Sequence, residues 1–182
     1  MKKFFMSLLT IFLLALSTVS AAEDEEIDSE TLLNDMRNNP KNYIYIGNFS
    51  NVGDAIYLVK SSVDVQEYNP PKYIIAVKLV HFGAGGFVRM RPKDTANLFG
   101  SLQFLYDYES KKINNKRTDE TTWKYIDEKK AINRGSKDLI RTLAEAELAF
   151  YFAYDKYFYG EPISYQLKKY AEEGKGTFAD RL

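Results

Sequence analysis

A chain of 182 residues is long enough for one domain with a real core, and 45% hydrophobic with 27% charged side chains is the composition of a folded globular protein. It has no cysteine, one histidine, and equal numbers of basic and acidic side chains. This excludes a disulfide framework, ordinary zinc sites, most nucleophile–base pairs and the basic excess that draws proteins to nucleic acid, so neither a cofactor nor a nucleic-acid partner is expected.

Met1-Lys2-Lys3, the apolar stretch Phe4 to Leu16 and the small residues Ser17 to Ala22 have the three-part form of a secretory signal, with cleavage after Ala21 or Ala22. The apolar stretch is short of the roughly 20 residues a membrane span needs. The Lys-Lys start is bacterial in style and places the product in a periplasm or outside the cell. Removing Lys2 and Lys3 leaves 23 basic against 25 acidic side chains. With no cysteine near the cleavage site, a lipid anchor is not expected.

An N-terminal segment, 23–41, begins with the acidic run EDEEIDSE, which reads as a solvated tail. Asp28 or Ser29 caps a short helix from Glu30 to Asn38 with Leu32, Leu33 and Met36 on one face. Asn39-Pro40 ends it. A single domain is predicted over 42–160. NYIYIG (42–47), AIYLVKSSV (55–63), KYIIAVKLVHF (72–82), FVRMR (87–91), SLQFLYDYE (101–109), KKINNKR (111–117) and TWKYID (122–127) all read as strands. The third is the longest of them, and Asn69-Pro70-Pro71 before it suits the start of an edge strand. Its residues Tyr73, Ile75, Val77 and Leu79 share one face, while Lys78 marks the other as partly wet. GAGG (83–86) is a hairpin turn and not a phosphate loop, because no GK[ST] follows.

Ser136 caps a helix predicted from Lys137 to Tyr159, stopped by Gly160. Leu139, Ile140, Leu143, Ala146, Phe150, Ala153, Tyr154, Tyr157 and Phe158 form its broad apolar face, with Lys137, Asp138, Arg141, Glu145 and Lys156 opposite. Leu148, Phe152 and Tyr159 interrupt the polar side and are placed to meet a second helix. That helix starts at Glu161-Pro162, ends near Gly174, and has Ile163, Leu167 and Tyr170 as its stripe. A frayed tail completes the segment 161–182. The fold class is therefore α+β: an antiparallel meandering sheet of five to seven strands packed against a long C-terminal helix. Four charges within 144–160 exclude a span there, and no transmembrane segment is expected after signal cleavage.

Glu147 stands in the middle of the apolar face. A buried carboxylate must be hydrogen-bonded, paired or neutral. A Tyr hydroxyl, Trp123 or Arg89 could satisfy it, or it could be a catalytic acid or base with a raised pKa. A hydrolase would need a second acid across a cleft, such as Asp107 or Asp127. His81 reads as a strand-end histidine. Ser61-Ser62 lacks a catalytic frame, and Asp107 with Glu109 lacks a calcium loop. The chain is rich in aromatics, with 14 Tyr, 12 Phe and one Trp. Tyr43, Tyr45, Tyr57, Tyr106 and Tyr108 fall in predicted strands. Either they pair within the sheet or some of them form an exposed binding patch.

YIYIGNFSNVGDAIYLVKSSV (43–63) resembles the opening of the surface-adhesin protein E-like group of secreted bacterial proteins. YDYESKKI (106–113) resembles that group's acidic, basic-tailed hairpin. AELAFYFAYDKYFYG (146–160) is similar to the close of small exported proteins from Negativicutes-type bacteria. The resemblance covers roughly 42–160. It implies a non-catalytic binding role toward a protein or glycan of the cell envelope or host surface, with no catalytic residues.

Overall fold

The computed structural model describes residues 27–49, 54–83 and 94–182. The predicted signal, the start of the acidic run, most of GAGG, Arg89 and the strand FVRMR lie outside them.

Helix α1, Ser29–Asn38, forms as expected. Asp28 is the cap: its carboxylate accepts from the Glu30 and Thr31 N–H groups, and Leu32, Leu33 and Met36 are buried. Strands β1 (Tyr43–Phe49), β2 (Asp54–Val59), β3 (Asp64–Asn69), β4 (Lys72–Gly83), β5 (Thr95–Asp107), β6 (Lys112–Arg117) and β7 (Lys124–Ile126) follow. They make one antiparallel sheet, ordered β1-β2-β4-β5-β6-β7, with β3 paired to β4 beside β2. The meander is thus confirmed.

β2 and β3 pair with successive halves of β4, separated by a 3-10 turn at Lys60–Ser62. Ser62 Oγ bridges the gap, accepting from Lys78 N at 2.8 Å. β3 was not expected. Its sequence, DVQEYN, lacks apolar alternation because all six residues are exposed at a sheet edge. Asn69-Pro70-Pro71 is correspondingly the turn joining β3 to β4. Among the described residues β5, not β4, is the longest strand, because it starts at Thr95 and not at Ser101. A bulge lets it run on: Leu79 faces Gly100 while Val80 faces Leu98. Gly100 takes φ 114° there, and the Arg117 guanidinium would lie 3.2 Å from any Cβ.

The sheet is covered on both faces. On one, Ile44, Ile46, Ile56, Leu58, Ile75, Val77, Leu79, Phe104 and Tyr106 meet helices α2 (Glu128–Arg134), α3 (Lys137–Tyr154) and α4 (Tyr165–Glu173). On the other, Tyr43, Tyr57, Val80 and Phe82 meet α1 and Phe178. Double coverage explains why 74–82 reads as a nearly continuous apolar run. Lys78 is half-buried where this second cover ends.

Four further features differ from expectation. α3 stops at Tyr154, not Tyr159, because Asp155 takes the left-handed conformation (φ 52°, ψ 39°) and donates its N–H to Tyr151 O. The following turn folds Phe158 back into the core. α4 begins at Tyr165, capped by Ser164. α2 was not anticipated; Ala131 is its buried residue. Finally, the C-terminal residues are not frayed. Ile44 bridges Thr177, Tyr45 N donates to Gly176 O at 2.7 Å, Asp180 accepts from the Gly176 and Thr177 N–H groups, and Phe178 is buried.

Candidate functional site

Glu147 lies on the buried face of α3 with no exposed surface. Its carboxylate accepts from Ile163 N at 2.9 Å and Ser164 N at 2.6 Å. Ser164 is the N-cap of α4 and Ile163 precedes it, so Glu147 holds the backbone entering that helix and pins it to α3. Burial raises its pKa; the Ser164 hydroxyl and the two N–H groups act in the opposite direction. Both oxygens are occupied by backbone donors, and these are not the side-chain partners expected.

Glu145 does not lie on the solvent side of the helix, where the wheel predicts it. It is buried, with Arg141 Nε at 3.4 Å, and Arg141 also meets Asp138 at 3.2 Å. Burial pushes its carboxyl up to about 7 against the pull of Arg141. The loss of hydration outweighs what one flanking guanidinium returns.

The five candidate tyrosines divide. Tyr43, Tyr57 and Tyr106 are buried and offer no face to a ligand. Tyr43 donates to Asp35 of α1. Tyr57 packs edge-on against Tyr45, Phe82 and Phe178. Tyr106 donates its hydroxyl to Ala146 O at 2.7 Å, tying β5 to α3. Tyr45 is half-buried and donates to Asn48. Tyr108 remains accessible, at 39%.

Tyr108 belongs to an aromatic group that sequence reading did not assemble. Its ring lies nearly parallel to Phe150, at 6.0 Å, and Lys111 Nζ sits 3.3 Å from its centroid. Phe150 meets Tyr154 at 4.9 Å, Tyr154 meets Tyr73 at 5.4 Å, and Tyr73 meets Tyr68 at 5.5 Å. Tyr68, on the unpredicted edge strand, is 68% exposed. The Tyr154 hydroxyl is enclosed and has no hydrogen-bond partner among the described residues. The tips of hairpins β3–β4 and β5–β6 and the end of α3 thus share one aromatic rim, exposed at both ends.

His81 lies inside β4, and its Nε2 is 3.1 Å from Asp54 of β2. Among the described residues no cluster of three His, Asp or Glu side chains is placed to hold a metal ion. Nor is any described helix long and apolar enough to cross a membrane. No family model, curated protein or solved structure matches the chain.

Proposed function

We propose that the chain is an exported, non-catalytic binding protein of the bacterial envelope or cell surface, whose ligand is a protein or glycan. The observation that carries this reading is the aromatic rim. Tyr68 and Tyr108 stand out from it, backed by Tyr73, Phe150 and Tyr154. Rigid aromatic side chains held by their neighbours give large contact area at small entropic cost. The resemblance to surface-adhesin protein E-like proteins points the same way. The engagement of Glu147 by two backbone donors supports a structural role for it over acid–base chemistry.

The test is capture of ligands from the native cell envelope with the immobilised mature chain, against a Tyr68→Ala/Tyr108→Ala variant. Specific recovery of a protein or glycan by the parent, lost in the variant, is expected. Equal recovery by both would remove the rim from the proposal, and recovery of nothing above background would remove the binding role.

A further inference from the structure

A second surface, sharing no residue with the aromatic rim, is built from three helices. Between α2, α3 and the start of α4 lies a depression of about 220 Å³ lined by Ala131, Ile132, Ile140, Leu143, Ile163 and Tyr165. Its floor belongs to the core, but three of its walls stand in solvent. Ile132 is 58% exposed, Ile140 41% and Tyr165 68%. Isolated exposed apolar residues need no explanation; three converging on one concavity do.

Each of these three residues has a lysine three positions away on its own helix: Lys129 with Ile132, Lys137 with Ile140, and Lys168 with Tyr165. That spacing places each pair on one helix face. All three lysines are exposed, and among the described residues none has an ion-pair partner. The neighbouring acids Glu128 and Asp138 are engaged by the Tyr125 hydroxyl and Arg141. Glu161, four residues before Tyr165, is exposed as well. The result is an apolar patch on three helices, each carrying an exposed lysine on the same face as its exposed apolar residue, with Glu128, Asp138 and Glu161 as the acids nearest in sequence.

We propose that this face docks on the surface of an anionic lipid bilayer. Ile132, Ile140 and Tyr165 would enter the boundary between headgroups and acyl chains, and Lys129, Lys137 and Lys168 would lie against the anionic headgroups. Branched aliphatic and tyrosine side chains backed by lysines match the chemistry of that boundary. A partner helix fits less well. It would present a stripe of anchors over two or more turns, and the depression has room for a side chain or two. This contact needs neither a spanning helix nor a lipid anchor.

The mature chain is to be sedimented with vesicles of phosphatidylcholine alone and with vesicles of equal parts phosphatidylcholine and phosphatidylglycerol. Binding to the mixed vesicles and not to the neutral ones is expected, weakening as salt is raised to 1 M, where the Debye length is about 3 Å. Replacing Lys129, Lys137 and Lys168 by Ser together should weaken partitioning on the order of a hundred-fold. Ile132→Ser with Ile140→Ser should weaken it at least about tenfold. All five positions are exposed, so circular dichroism should be unchanged. The proposal is overturned if the parent ignores vesicle charge, if both variants bind as the parent does, or if the parent forms a lipid-independent dimer that the Ile variant abolishes. The lipid comparison on the parent stands even if a variant misfolds.

Discussion

The geometry around Glu147 makes a quantitative claim about Glu147→Ala. The substitution strands the Ile163 and Ser164 N–H groups, which now donate at 2.9 and 2.6 Å. An unsatisfied buried donor costs about 1–3 kcal/mol. Two of them, with the cavity left by the side chain, sum to about 4 kcal/mol. Relief from burying a carboxylate offsets part of this, since burial holds the Glu147 pKa up. Glu147→Gln keeps the volume and one acceptor but turns an amide N–H toward the second donor, so it should cost about 2 kcal/mol. Urea denaturation reads both. With a slope near 2 kcal/mol per molar, the alanine variant's midpoint should fall by about 2 M and the glutamine variant's by about half as much. Amide exchange should quicken first in α4, the helix the carboxylate pins. An alanine variant within about 0.5 kcal/mol of the parent, with α4 protection intact, would refute the anchoring role and favour chemistry for Glu147.

Glu145→Gln should flatten the pH dependence of stability. The folded carboxyl is held up to about 7 by burial, so its stabilising contribution is complete below the unfolded value near 4.3 and is lost as pH rises through 7, by about 4 kcal/mol in all. Denaturation at pH 5 and pH 8 measures this, and identical pH profiles for parent and variant would contradict it. Tyr106→Phe removes the bond to the Ala146 carbonyl and should cost about 1–2 kcal/mol by the same assay. Phe178→Ala should cost about 3–5 kcal/mol, because the ring is buried 5.3 Å from Phe82 and 5.5 Å from Tyr57. A loss below about 0.5 kcal/mol would mean the C-terminus is frayed after all.

What was legible follows from how strongly each local signal is tied to burial. α1 was readable because a capping Asp precedes three apolar residues at helical spacing. β4 was readable because its run is apolar on both faces. The α+β class followed from those strands and from the Ser136-capped helix. β3 was not legible, since an edge strand held by backbone bonds to one neighbour needs no apolar pattern. The stop at Asp155 was hidden because Gly160 is the more usual left-handed residue and Tyr157 to Tyr159 continue the helical pattern. The burial of Glu145 was hidden for a related reason. A wheel assumes one wet side, and α3 is covered on several. The order of the C-terminus had a readable trace in Thr177 and Asp180, which cap each other across one 3-10 turn.

The tyrosines show why composition alone could not locate a site. A ring on a half-buried strand serves equally as core and as surface, and strand alternation does not say which face another layer will cover. Tyr43 and Tyr57 face α1 and the C-terminal turn, and Tyr106 faces α3, so all three are consumed by packing. Tyr108 stays 39% exposed because it lies just past the end of β5, where the covering layer ends: it rests on Phe150 and Phe158 at the layer's margin without being enclosed. Tyr68 escapes because it lies on the edge strand. The accessible aromatics of the sheet are therefore those at hairpin tips and edges, where the covering elements stop. The same logic accounts for Ile132, Ile140 and Tyr165, which stand where α2, α3 and α4 meet and no fourth element closes over them. The two surfaces proposed to bind are both places where the apolar pattern runs past the layers that could bury it.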